Sequence, residues 1–139
     1  MPSPKVLSPA RALERVGFLS NRTPETTAEE AAPAFAELSS YRDGAIYVGH
    51  FAGKSEWERH GEGDEIVSVL EGRARLVLLE GDEEVPYELG AGEMIVVPAN
   101  TWHRFETDGV KLMTVTPQPT DHSVERPEDD LATTLDYGE

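Results

Sequence analysis

From Tyr41 to about Thr116 the chain runs in short stretches whose apolar and polar residues alternate, the period of a β-strand with one buried face. The pattern predicts strands over residues 45–51, 55–60, 65–71, 74–80, 83–89, 94–98, 102–107 and 110–116. Gly, Asp and Pro divide them. Leu79-Glu80-Gly81-Asp82-Glu83 reads as a hairpin turn, and Thr107-Asp108-Gly109-Val110 carries the Asp-Gly turn dipeptide. Pro98 falls at a strand end, where its missing N–H does little harm. Many short strands with no intervening helical pattern predict an all-β antiparallel sandwich or barrel. No internal repeat is present.

The flanks differ. Ser8-Pro9 followed by residues 10–16 predicts a short helix, with Ser8 as cap, Pro9 in the first position and Gly17 ending it. Thr26-Thr27-Ala28-Glu29-Glu30 marks a second helix start that Pro33 cuts short. This segment fits an arm packed outside the barrel or on a partner subunit, and equally a loosely ordered N-terminus. After Thr116 the chain carries seven acidic residues against one Arg, which predicts a surface tail. The organisation expected is an arm with short helices over 1–40, a β-barrel over 41–117 and an acidic C-terminal tail over 118–139.

Composition narrows the function classes. A length of 139 residues suits one domain. There is no cysteine, so disulfides and thiolate zinc sites are excluded. No apolar run is long enough to span a bilayer, and Met1-Pro2-Ser3-Pro4-Lys5 lacks the apolar core of a signal peptide, so a cytoplasmic protein is expected. Twelve basic against 27 acidic residues give a net charge of −15, which argues against nucleic acid and anionic membranes as partners.

Two stretches carry candidate chemistry. In Glu58-Arg59-His60-Gly61-Glu62-Gly63-Asp64-Glu65, Glu58 and His60 share one strand face and Arg59 takes the other. Glu65 opens the next strand with Val67 and Val69 on its own face. If Glu58, His60 and Glu65 face inward, carboxylates and an imidazole share a core, and unpaired buried charge is costly. A divalent cation is one remedy. In the second stretch, Val97-Pro98-Ala99-Asn100-Thr101-Trp102-His103, Asn100 can take the left-handed backbone that aims His103 inward. Phe105 then shares the face of His103.

Together these stretches resemble the paired motifs of the cupin superfamily. His60, Glu65 and Gly72 stand at the spacings of the second His, the Glu and the Gly of its first motif. Gly92, Pro98 and His103 stand at those of its second, with Asn100 where Gly is usual and Thr107 where Asn is usual. The first His position is filled by Glu58. The resemblance covers roughly residues 45–117. It implies a double-stranded β-helix, or jelly-roll, barrel and a metal held inside by three His and one Glu. Carried over residue by residue, that gives His60, Glu65 and His103 as metal ligands, with Glu58 as a fourth ligand, a catalytic base needing a tuned pKa, or a rim residue. Two His with carboxylates is an arrangement of non-haem iron sites; Fe, Mn, Zn and Ni all remain candidates. The alternative is a metal-free barrel in which the same side chains form a hydrogen-bonded cluster.

Tyr47, Trp57, Phe105 and Met113 are expected to line a substrate pocket, with Phe51 beside them. His50 reads as a packed or rim residue and His122 as exposed in the tail. Arg42, Arg104 and Lys111 read as solvated charges, or as contacts for an anionic substrate at the mouth. No nucleotide-binding loop, nucleophile elbow or DNA-binding segment is present. The resemblance implies either a metal-dependent enzyme of dioxygenase or isomerase type on a small organic substrate, or a non-catalytic small-ligand or sensor module. Outward Ile66 and Leu70 would suit a homodimer interface.

Overall fold

The period-two pattern is realised as nine strands among the described residues, 3–128 of a computed structural model. In chain order the elements are α1 (Pro9–Arg15), β1 (Leu19–Arg22), α2 (Ala28–Ala31) with a 3₁₀ turn at Ala32–Ala34, β2 (Phe35–Tyr41), β3 (Gly44–Lys54), β4 (Trp57–His60), β5 (Glu65–Glu80), β6 (Glu83–Gly90), β7 (Met94–Val97), β8 (His103–Pro117) and β9 (Thr120–Ser123). Both helices begin where the capping residues stand. The Ser8 hydroxyl accepts from the Arg11 amide at 3.2 Å. Thr27 and Glu30 close a reciprocal capping box, each side chain accepting the other's amide. Residues after 128, half of the expected acidic tail, lie outside the described residues.

Three strands fall where the alternation gave no signal. β1 pairs parallel to β3, β2 pairs antiparallel to it, and β9 pairs antiparallel to β4. Residues read as arm and tail therefore extend the sheet. Two predicted breaks are absent. Residues 65–80 form one strand, as do 103–117, and the two run antiparallel with Gly72 opposite Val110 and Arg73 opposite Gly109. The supposed turn residues face one another at a bulge. Gly72 has φ +84°, and a Cβ there would lie 2.3 Å from the Gly109 carbonyl oxygen. The residues that looked like breakers bend a continuous pair of strands.

β8 is the spine, pairing with β3, β4 and β5. The arrangement is a jelly-roll β fold. Its main core joins Phe51, Val67, Val69, Leu76, Leu78, Val97, Phe105, Val110 and Leu112. A second cluster of Trp57, Val77 and Trp102 packs on the other face of β4. No helix among the described residues is long and apolar enough to cross a membrane. The short strand β4 lies between β8 and β9, with Glu58 opposite both His103 and His122. That registry places the site.

Candidate metal centre

Alternation on β4 sends Trp57 and Arg59 to one side, Glu58 and His60 to the other. Arg59 is buried: its guanidinium lies over Trp102 with 4.6 Å between the charge centre and the ring, and donates to Asp121 Oδ2 from Nε at 3.1 Å and Nη2 at 2.9 Å. This pair binds β9 to β4. The turn after His60 is tied to the loop before His103. The Asn100 amide donates to the His60 carbonyl at 2.8 Å, and Asp64 Oδ1 accepts from the Ala99 amide at 2.9 Å. Asn100 takes φ +64°, the left-handed backbone expected of it. His103 is thereby delivered beside His60, with 5.3 Å between ring centroids.

Glu65 Oε1 lies 3.2 Å from His60 Nε2 and 3.0 Å from His103 Nε2. All three residues are buried. These contacts lack hydrogen-bond alignment, so three buried polar atoms converge on one place without a hydrogen-bond partner. Such atoms are costly to leave unsatisfied. Their other ends are satisfied. His103 Nδ1 donates to the Thr101 carbonyl at 2.9 Å, which leaves the Nε2 lone pair facing the convergence point. Thr120 Oγ1 donates to Gln118 Oε1 at 3.3 Å and so accepts from His60 Nδ1 at 3.1 Å, giving His60 the same tautomer. The Thr116 hydroxyl donates to Glu65 Oε2 at 2.7 Å and in turn accepts from Thr114 at 2.7 Å.

Burial opposes ionisation of Glu65, but His103 and His60 override it and hold the carboxyl well below the usual range. Burial likewise opposes charge on His103, and Glu65 overrides it, raising the imidazole pKa. The convergence point is therefore an anion flanked by two imidazoles that carry lone pairs when neutral. That donor set suits a divalent cation. Glu58 adds a half-buried carboxylate within 4.8 Å of ring nitrogens of both His60 and His103.

Glu58, His60 and Glu65 border a cavity of about 580 Å³, while His103 is wholly buried and outside its lining. Tyr47 and Phe105 line it as expected, with Phe51. Trp57 and Met113 do not, and the alternation explains both. Trp57 shares the outer face of β4 with Arg59. Met113 lies between Leu112 and Thr114, which do line the cavity. Arg42, Arg104 and Lys111 are not in the lining either. Arg104 lies over the Trp57 ring and pairs with Glu84 and Glu106, and Lys111 pairs with Glu71 at 3.4 Å. His50 packs against Phe18, with ring centroids 4.6 Å apart.

Among the lining residues that were not anticipated, two carry ionisable groups. His122 is half-exposed but borders the cavity, with Nδ1 2.5 Å from Glu56 Oε2 and 4.0 Å from Glu58 Oε2. Its bond to Glu56 raises its pKa. Arg22 enters the lining from β1. Its only signal in the sequence is a polar residue three positions beyond Leu19, too little to predict a strand.

A family model described as a cupin domain matches residues 48–130, more than half of the chain. The crystal structure of a cupin-2 domain containing protein from Shewanella frigidimarina aligns with a TM-score of 0.51 and 25% identity, over 60% of this chain and 79% of that one. A conserved protein of unknown function from Streptococcus pyogenes aligns at 0.54 and 18% identity, over 86% and 92%. Hydroquinone 1,2-dioxygenase from Sphingomonas sp. TTNP3, solved with 4-hydroxybenzoate bound, aligns at 0.53 and 16% identity, over 61% of this chain and 65% of the enzyme. The last two likenesses are of fold alone. No curated protein matches the sequence.

Proposed function

The chain belongs to the cupin domain family, and we propose that its barrel holds a divalent metal ion through His60, Glu65 and His103, with Glu58 as a fourth ligand, and acts as a metal-dependent enzyme on a small organic substrate. The observation that carries this reading is the convergence of two imidazole Nε2 atoms and one carboxylate oxygen, all buried, without hydrogen-bond partners at that point. The Thr101 carbonyl and Thr120 hydroxyl accept from the two imidazoles and the Thr116 hydroxyl donates to Glu65, which holds the outer atoms of the three side chains and so orients the inner ones. With two nitrogen and two oxygen donors and no sulfur, the set favours iron or manganese and also accepts zinc or nickel.

A bound divalent ion would polarise substrate oxygens or, if redox-active, support oxidation. The chain's own contribution is orientation and proton handling. Phe51, Phe105 and Leu112 give the cavity an apolar wall against which a substrate body would pack. Glu58, on the cavity side of β4, can take a proton from a substrate seated there if it is not itself a ligand. The fold is shared with a dioxygenase, but fold does not choose chemistry; the donor set supports the enzyme reading. The metal-free alternative draws on the same 3.0 and 3.2 Å contacts, since protonated imidazoles could pair with Glu65.

Elemental analysis of protein purified without chelator tests the reading. We expect close to one equivalent of transition metal, lost in His60→Ala and His103→Ala. Less than about a tenth of an equivalent in wild type after reconstitution would refute it, given one-site stoichiometry. We also propose a homodimer. Exposed Leu70, Met94 and Val96 lie on β5 and β7, and light scattering that gives only monomer at micromolar concentration would remove that claim.

A further inference from the structure

Arg22 is the cavity's one guanidinium among the described residues. It reaches the cavity because β1 docks on β3 at Gly53. Gly53 has φ +116°, and a Cβ there would lie 2.2 Å from the Arg22 carbonyl oxygen. The close backbone approach needs glycine. The Arg22 guanidinium lies over two aromatic faces, with its charge centre 4.6 Å from the Phe51 ring centre and 5.3 Å from that of Phe35. These are cation–π contacts that hold the guanidinium against both rings.

A cation–π contact leaves N–H donors of a guanidinium able to hydrogen-bond. No carboxylate among the described residues comes within the 4.0 Å of an ion pair with Arg22. Burial lowers its pKa, with the more distant Glu58 and Glu56 acting the other way, and an arginine stays charged in any such setting. A cation in an apolar cavity with donors to spare is a recognition element for an anion. The charge balance agrees. With a divalent ion in place, Glu65 and Glu58 cancel its two charges, and Arg22 remains in the cavity lining as a cation without an ion pair among the described residues. One negative charge completes the site.

We infer that Arg22 is a specificity-determining residue that anchors the anionic group of a monoanionic substrate, a small carboxylate with an apolar or aromatic body. Phe35, Phe51 and Phe105 hold that body. The charge count rests on the proposed metal centre; the guanidinium without an ion pair beside Phe35 and Phe51 does not.

The test uses benzoate and its neutral isostere benzamide, titrated calorimetrically into the full chain loaded with manganese. We expect benzoate to bind about tenfold more tightly or better, the scale of a charge-assisted fork. Arg22→Gln should abolish that preference while leaving metal stoichiometry and melting temperature unchanged. Arg22→Lys should keep the charge but lose the fork, and retain only part of the preference. Equal binding of the two ligands by wild type, or undetectable benzoate binding, would overturn the inference. So would a preference that survives in Arg22→Gln, which would belong to the metal. Should Arg22→Gln not fold, full retention of the preference in Arg22→Lys would count against the fork. Metal stoichiometry is measured separately. If manganese does not bind, the metal centre fails by that measurement, and the same comparison on the metal-free chain still decides the role of Arg22.

Discussion

Glu58→Gln is the most informative single change, because Glu58 occupies the position where a third imidazole is usual in the family pattern. The substitution keeps the shape and removes one charge. Its carboxylate oxygen lies within 4.8 Å of ring nitrogens on both His60 and His103, so an ion held between those nitrogens lies within the same distance. At water-like dielectric, one charge and a dication that far apart interact by about 1.7 kcal/mol. That alone corresponds to about a twentyfold change in dissociation constant. The half-buried setting lowers the effective dielectric and increases the effect, and a direct metal bond adds to it. We therefore expect Glu58→Gln to weaken metal binding by about twentyfold or more. Competition titration of manganese against a chromophoric chelator, at fixed ionic strength, measures it. Equal affinities in wild type and Glu58→Gln would refute both the four-ligand assignment and the placement of the ion between the two imidazoles. A loss near twentyfold would fit an uncoordinated neighbour, and a loss of several hundredfold a ligand.

Metal affinity should fall as pH falls through the raised pKa of His103, because the ion needs the neutral imidazole and Glu65 makes protonation easier than in a free histidine. Affinity measured from about pH 8 to about pH 5 should decline by up to tenfold per unit for each proton displaced; a flat profile would contradict His103 as a ligand. Asp121→Asn removes one charged partner of the buried Arg59 and loosens β9, and should cost about 1.5–3 kcal/mol in urea unfolding. A cost below about 0.5 kcal/mol, the range of an ordinary surface substitution, would show that the pair does not hold the strand. Gly53→Ala should unseat β1 and remove the benzoate preference as Arg22→Gln does, with manganese still bound; an unchanged preference would mean that Arg22 does not depend on that strand.

The proximity of His60, Glu65 and His103 was legible because the signals that aim them are local. His60 and Glu65 flank one turn, and His103 follows one left-handed residue, Asn100. Trp57 was misplaced for a reason also visible in the sequence: it neighbours Glu58 on a strand, so the two cannot share a face. Met113 fails in the same way against Leu112 and Thr114. Gly72 and Asp108-Gly109 resemble strand ends in isolation, and only their pairing across β5 and β8 shows them to be a bulge. Arg22 and His122 were out of reach. Each lies on a four-residue strand that exists only through a distant partner, β3 for one and β4 for the other. Such strands are too short to carry a periodic signal of their own.

X-ray absorption at the metal edge of the loaded protein tests the central claim most directly. We expect scattering from two imidazoles with the remaining donors oxygen, and loss of one imidazole in His103→Ala. A spectrum of oxygen donors alone, as for an ion held loosely on the acidic surface, would contradict the assignment of His60, Glu65 and His103 as the metal centre.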